Sequence, residues 1–230
     1  DVKWETVTKM NVGLDYSMFK GLIEGSLEFF QDDRTDILVS GGERSVPGYF
    51  GGTPPTVNLG RVRATGYELE LRVNKQFRNS LRLWGNFNMT HAENVILKKD
   101  DPELLPNYQK QAGYAIGQYR SHIDAGFLNT WDEVYGSPAH ETNDAQRLPG
   151  DYYIVDFDGN GVIDSKDSAP YGFTGTPENT YNATIGVEYK GFSAFVQLYG
   201  VTNVTRDVPL SSFGSKLNTV YNVGEWWSAL

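Results

Sequence analysis

The stretch Tyr67-Glu68-Leu69-Glu70-Leu71-Arg72-Val73-Asn74 decides the fold: apolar and polar residues alternate one for one. Successive side chains of a strand point to opposite faces, so this segment reads as a β-strand with one greasy and one polar side. The same period runs outward along the chain. In Lys9–Met18, the residues Met10, Val12, Leu14, Tyr16 and Met18 alternate with Lys9, Asn11, Gly13, Asp15 and Ser17. After Lys20-Gly21, Ile23, Gly25, Leu27 and Phe29 alternate with Glu24, Ser26, Glu28 and Phe30. Leu81, Leu83, Gly85, Phe87 and Met89 oppose Arg82, Trp84, Asn86, Asn88 and Thr90. Late in the chain, Tyr181–Tyr189 and Phe192–Val201 repeat the pattern around Lys190-Gly191.

The connections alternate between short and long. Tight turns at Lys20-Gly21, Gln76–Asn79 and Lys190-Gly191 close hairpins expected at about 8–32, 60–94 and 179–201. Long polar stretches, about 40–58 and 97–179, separate them. This is the sequence of an all-β, antiparallel up-and-down meander. Strands of about ten residues fit a tilted membrane crossing better than an ordinary soluble strand. Polar faces bearing Glu24, Glu28, Glu68, Glu70, Arg72 and Arg82 suit a water-filled lumen, and equally the wet side of a soluble sheet. Tyr16, Phe29, Phe30, Tyr67 and Tyr189, near strand ends, are candidates for an interfacial aromatic girdle or for cross-strand packing.

Composition narrows the function classes. The chain has 230 residues, no cysteine, and 14 Tyr, 12 Phe and 5 Trp, which is too apolar for disorder. Without cysteine there is no disulfide scaffold, thiolate metal site or cysteine nucleophile. A net charge of −9, with no Lys/Arg cluster, argues against a nucleic-acid partner. No apolar run reaches the ~20 residues of a transmembrane helix, which leaves a membrane-spanning β-barrel open. The acidity concentrates between Arg120 and Pro170.

Within that block, Asp156-Phe157-Asp158-Gly159-Asn160-Gly161-Val162-Ile163-Asp164-Ser165-Lys166-Asp167 has metal-ligand spacing. Counting from Asp156, oxygen-bearing side chains fall at positions one, three, five, nine and twelve: Asp156, Asp158, Asn160, Asp164 and Asp167. Gly161 takes the sharp-turn position six, and Val162 at seven offers its backbone carbonyl. This is the EF-hand calcium-loop pattern with Asp in place of Glu at twelve. Ca²⁺ is the expected ion, since four carboxylates in one loop repel each other without a cation. The flanks do not read as helices, because Tyr152–Val155 looks extended and Pro170 and Gly172 follow closely. A structural clip for a long loop is expected rather than a sensor.

Other candidates stay at background. His91, His122 and His140 are isolated, and no HExxH, GxSxG, Walker or dinucleotide motif occurs. Carboxylate pairs such as Glu68/Glu70 and Glu24/Glu28 are explained by sharing a wet strand face, so no enzyme is expected. Three Asn-x-Thr triplets, at Asn88, Asn182 and Asn203, match glycan acceptors by chance spacing. Trp226-Trp227 fits a carbohydrate platform or an interfacial anchor. Loop aromatics Tyr108, Tyr114, Tyr119, Trp131 and Tyr135 fit sugar stacking or packing within a folded loop.

Several segments, in order, resemble the C-terminal part of the SusC-type (RagA-like) TonB-dependent outer-membrane transporters of Bacteroidetes. They are Trp4-Glu5 with Asn11-Val12-Gly13-Leu14-Asp15, and Gly25–Phe30 with Arg34-Thr35-Asp36-Ile37-Leu38. Asn58-Leu59-Gly60-Arg61-Val62-Arg63 with Gly66–Glu70 follows, then Gly113–Gly117 with Tyr119. Pro149-Gly150-Asp151 leads into the acidic loop, and Lys190-Gly191-Phe192-Ser193 precedes Gly200. The resemblance implies a transmembrane barrel of about 22 strands with long extracellular loops. It also implies an outer-membrane location, a SusD-like surface lipoprotein as partner, and TonB-driven import of an oligosaccharide or peptide. Plug and TonB-contacting segments are missing from the sequence, so contact with the TonB complex is expected through an N-terminal part outside it. On this reading residues 1–230 are a piece of barrel wall, with outer-membrane lipid on one side. The alternative is a secreted soluble β-module that binds calcium and carbohydrate.

Overall fold

A computed structural model describes residues 2–47, 49 and 51–206. The tryptophan pair Trp226-Trp227 lies outside the described residues. In chain order the strands are β1 (Thr6–Met18), β2 (Ile23–Val39), β3 (Val57–Gln76), β4 (Leu81–Lys98), β5 (Gln118–Ser121), β6 (Asp124–Phe127), β7 (Ala139–His140), β8 (Tyr152–Ile154), β9 (Val162–Ile163), β10 (Ala169–Thr174), β11 (Asn179–Tyr189) and β12 (Phe192–Thr202). One short helix, α1 (Trp131–Gly136), lies between β6 and β7. Among the described residues no helix is long and apolar enough to cross a membrane.

The chain forms two compact units. The first holds the residues up to Pro106, Lys110–Gln118 and Phe173–Thr205. It is a six-stranded antiparallel sheet in the order β1-β2-β3-β4-β11-β12. Its neighbours follow the chain except that β4 pairs with β11, skipping the long excursion between them.

Register turns the sequence alternation into two continuous faces. Leu14 opposes Leu27, Leu27 opposes Leu69, Leu69 opposes Met89, and Met89 opposes Tyr181. A row of apolar side chains therefore crosses five strands at one level, and rows above and below repeat it. The opposite face carries Asp15, Ser26, Glu70, Asn88 and Asn182 in the adjacent row. In a water-soluble sheet the apolar face would be the core. Here it is bare: Leu14 is 63 % exposed and Ile185 69 %. The hydrophobic residues that are buried lie elsewhere, with Val39 and Ile96 near the loop ends of β2 and β4 and the rest in the second unit. An apolar face this extensive is stable only against lipid.

The strands are longer than the sequence period implies. β3 has 20 residues and β4 has 18, whereas a crossing needs ~9–11. The extra length is at the loop end, where Asp32–Val39, Val57–Gly66 and Ala92–Lys98 do not alternate but are still paired backbone to backbone. Irregularities mark this end: β2 bulges around Arg34–Ile37, with Asp36 at φ +56°. The Asn58 amide bridges the bulge, donating to the carbonyls of Asp36 (2.6 Å) and Lys3 (2.9 Å).

Phe29, Tyr67 and His91 stand side by side in one outward row, with ring centroids 6.2 and 5.1 Å apart. That is a girdle at the loop-side boundary of the apolar band. Phe30 does not join it. One residue on, it faces the polar side, and its ring covers Gly66 directly opposite. Tyr16 likewise covers Gly25, and Trp84 covers Gly186, each across a register pair. The absence of a side chain at these glycines makes room for the ring, and the ring covers backbone the glycine would leave bare.

The second unit comprises Asn107–Gln109 and Tyr119–Gly172 among the described residues. Three two-stranded sheets organise it: β10 with β5, β6 with β8, and the parallel pair β7 with β9. Its small core holds Leu128, Val134, Ile163 and Ala169. Helix α1 is N-capped by Thr130, whose hydroxyl accepts from the Glu133 N–H at 3.2 Å.

Candidate functional site

The acidic loop 156–167 folds around its own carboxylates. β8 delivers the chain, and the Val155 N–H donates to the Ile123 carbonyl at 2.9 Å. Asp156 then turns it. One carboxylate oxygen accepts from the N–H groups of Gly159 (2.8 Å) and Asn160 (3.1 Å), the other from Gly161 (2.7 Å). Gly159 and Gly161 sit at φ +74° and +86°, a region where a side chain is strained. The loop leaves through β9. Gly161 and Ile163 give their carbonyls to Ala139 and Glu141 beside β7. Carbonyls alternate along a strand, so the Val162 carbonyl between them points away from β7.

Asp167 is the keystone. It is fully buried at 0 % exposure. Its carboxylate accepts from Phe157 (2.6 Å) and Asp158 (3.4 Å) at the loop's start and from Asp164 (2.7 Å) near its end. Burial pushes its pKa up, but the backbone donors of Asp164, Phe157 and Asp158 outweigh that and hold the carboxyl below its ordinary value. The group stays ionised inside the loop.

The structure brings Asp156, Asp158 and Asp167 together, with one carboxylate oxygen from each lying within 4.8 Å of the others. Asn160 is bonded to two of them, its N–H donating to Asp156 (3.1 Å) and Asp158 (3.1 Å). Its amide nitrogen donates to Asp158 (3.0 Å), and its amide oxygen accepts from the Val162 N–H (2.7 Å). Asp164 is turned to Lys166 instead, accepting from its N–H at 2.6 Å and pairing with its ammonium at 3.3 Å. That contact, chiefly the hydrogen bond, raises the Lys166 pKa. The carboxylates gathered without a cation among them are therefore three, with an amide oxygen and a backbone carbonyl close by in the chain. Oxygen-only donors of this kind match a hard divalent ion.

Three supports of the loop are not visible in the spacing. The Tyr108 hydroxyl (2.9 Å) and the Gln109 amide (3.0 Å) both donate to the Lys166 carbonyl. Tyr108 also packs on Phe157, with centroids 4.7 Å apart. His122, isolated in sequence, donates from Nε2 to the Asp164 carbonyl at 2.8 Å. Of the other loop aromatics, Trp131 and Tyr135 stack on each other at 5.9 Å on the exposed side of α1.

The second candidate surface is the polar face of the sheet. A shallow cleft of about 370 Å³ there is lined by Asp15, Ser17, Glu24, Ser26, Glu70 and Arg72. Arg72 reaches Glu70 at 2.5 Å. Glu28 and Glu68 are paired directly opposite, and Asn11 donates to Glu28 at 3.2 Å. Like charges facing each other across strands are tolerated where water has access.

A sheet of long antiparallel strands with one bare apolar face, one polar face and an aromatic row at the apolar boundary belongs to the class of membrane-spanning β-barrels. Comparison with known proteins gives the family. The chain belongs to the TonB dependent receptor-like β-barrel family, whose model matches residues 1–226. Among its relatives are TonB-dependent receptor P3 of Formosa agariphila, 27% identical over 205 residues, and TonB-dependent receptor SusC of Bacteroides thetaiotaomicron, 28% identical over 187. These alignments take in 84% and 74% of this chain but 20% and 17% of the relatives, so the chain spans about one fifth of their length. Among solved structures it is similar to that of the RagAB peptide transporter, with TM-score 0.63, 17% identity, and coverage of 87% of this chain and 21% of that one. The closed-closed state of the RagAB peptide importer matches with TM-score 0.57. The six strands are thus part of an outer-membrane barrel wall.

Proposed function

We infer that this chain is barrel wall and loops of an outer-membrane importer that takes up oligosaccharides or oligopeptides. A SusD-like surface lipoprotein would cover the loop end, and energy would come from TonB through another part of the protein. The observation that carries this is the two-faced sheet: apolar side chains bare toward lipid, and carboxylates, amides and hydroxyls toward the lumen. The same bare face counts against a soluble secreted module. Short turns would lie in the periplasm and the long excursions outside.

Within the large excursion, the reading extends to one structural Ca²⁺ held by Asp156, Asp158, Asp167, the Asn160 amide oxygen and the Val162 carbonyl. Asp164 would swing from Lys166 to complete the shell. No pair of helices flanks the loop, so the ion would order it rather than signal. Terbium luminescence on the intact protein should show one site, and Asp158→Ala should abolish it. Unchanged terbium binding in that variant rejects the site.

Import itself is tested by deleting the gene and growing the strain on single glycans or peptide mixtures. Loss of growth on one class, with co-purification of a surface lipoprotein on the tagged protein, is expected. Undiminished uptake of both classes refutes the importer reading.

A further inference from the structure

The three hairpin turns of the sheet share a feature that transport does not require. Each carries an aromatic residue followed at once by a cation: Phe19-Lys20 between β1 and β2, Phe77-Arg78 between β3 and β4, and Tyr189-Lys190 between β11 and β12. All three turns lie at the same end of the sheet, since Met18 pairs with Ile23, Gln76 with Arg82, and Tyr189 with both Leu81 and Phe192.

Charge at this end runs against the rest of the chain. Residues 18–23, 74–82 and 188–193 hold five basic side chains (Lys20, Lys75, Arg78, Arg82 and Lys190) and one acid, Glu188. Arg82 and Glu188 neutralise each other at 3.1 Å. The whole chain carries −9, so a turn end where basic residues outnumber acidic ones among the described residues, with Glu24 beside Gly21 counted, is not a sample of its average surface. The aromatics are positioned for an interface. Phe19, Phe77, Tyr189 and Phe192 are exposed, and Tyr189 and Phe192 continue the outward apolar rows. The Lys190 ammonium lies 5.2 Å from the Tyr189 ring centre, above an aromatic that ends the apolar band. Positive φ at Lys20 (+60°) and Lys190 (+48°) fixes these cations at the tips of tight turns.

We propose that the turn end of this wall is a binding surface for anionic phospholipid, with Lys20, Arg78 and Lys190 each facing a headgroup phosphate. Phe19, Phe77, Tyr189 and Phe192 set the depth of the wall in the same leaflet. Two features point to lipid rather than a free anion or a periplasmic protein. The cations are continuous with the lipid-facing rows, and they are spread one per turn along the sheet's edge. A row spaced that way matches a leaflet, whereas a single anion needs converging donors. The proposal depends only on the barrel's place in the membrane and not on what the importer carries.

The test uses the intact outer-membrane protein containing this chain, reconstituted in nanodiscs of phosphatidylethanolamine with a minority of phosphatidylglycerol. Native mass spectrometry then reads the ratio of co-purified lipids against the bulk ratio. The wild type should be enriched in phosphatidylglycerol. Removing a cation near an anionic surface should lower its share of that enrichment roughly five-fold, so Lys20→Gln with Arg78→Gln and Lys190→Gln should bring the ratio close to bulk. The charge-keeping set Lys20→Arg, Arg78→Lys and Lys190→Arg should retain it, and gel mobility before and after heating reports whether each variant is folded. Should the Gln set not fold, raised salt on the wild type replaces it and must erase the enrichment. An enrichment that survives charge removal or salt overturns the proposal. So does an equal loss on Lys99→Gln at the loop end, or displacement of the lipid by millimolar inorganic phosphate.

Discussion

Gly66→Ala should destabilise the barrel, and the structure says by how much. Gly66 is a β3 residue with ordinary extended φ, so alanine meets no backbone penalty there. A Cβ at this position would run into the His91 carbonyl of β4 and the tip of the Phe30 ring from β2. The ring can turn aside, but the carbonyl belongs to the ladder and cannot. Overpacking of this kind costs about 1–3 kcal/mol, and the backbone obstacle places it in the upper half. Alanine returns about 0.4–1 kcal/mol by stiffening the unfolded chain. The net loss is about 1–2.5 kcal/mol, read as a lower urea midpoint for the intact protein in micelles. Gly42→Ala, with nothing within 4 Å of its Cβ, is the matched control and should be neutral or slightly stabilising. Adding Phe30→Ala to Gly66→Ala separates ring from carbonyl: the double variant should fall short of additivity by the ring's share. Equal midpoints for Gly66→Ala and Gly42→Ala would show that the close approach of β3 to its neighbours is not real.

Further outcomes follow from the same structure. Leu69→Arg, in the middle of the outward face, should cost about 2–4 kcal/mol, whereas Asn88→Arg on the opposite face, facing Glu70, should shift the midpoint little. Asp100 accepts from Arg44 at 2.6 Å and from the Ser45 N–H at 3.0 Å, and these contacts, led by Arg44, hold its pKa below the ordinary value. A lowered folded pKa stabilises above the unfolded value of ~3.9 and ceases to as pH falls through the folded one. Protection of the Ser45 amide, taken relative to its intrinsic exchange rate, should therefore hold down to about pH 4, fall away below it, and be reduced at every pH in Asp100→Asn. Under the calcium reading, chelation should speed proteolytic cleavage between 119 and 172 in the wild type but leave Asp158→Ala, already labile, unchanged.

The sheet was legible because its signal has period two. Leu69 and Glu70 state which way each side chain points without knowledge of any partner strand. The loop-side extensions of β2, β3 and β4 beyond the expected hairpins were not, since residues such as Asp33, Asn58 and Lys98 are held by ladder hydrogen bonds that leave no hydrophobic pattern. The short strands of the second unit are hidden for a related reason: two residues, as in β7 or β9, are too few for a period. In the acidic loop, spacing singled out Asp156, Asp158 and Asp167, whose carboxylates lie together, because position along a tight turn nearly determines direction. It could not show Asp164 turning to Lys166, a choice between two local partners two residues apart. Nor could it show His122 or Tyr108, which come from 42 and 58 residues away. Phe30 shows the limit on the sheet: its spacing made it a girdle candidate, and only its pairing with Gly66 reveals its role as a cover.

The overlong strands carry a mechanical consequence. At ~3.3 Å per residue and a tilt near 40°, the 20 residues of β3 rise roughly 50 Å, about twice the apolar height of such a membrane. The surplus is a palisade of cross-linked backbone standing clear of the lipid, and the segments at its top are tied by the Arg44–Asp100 and Lys99–Glu43 pairs. Such a rim resists bending far better than free loops would. A push delivered at its crest would travel down the strands into the wall instead of being lost in slack chain.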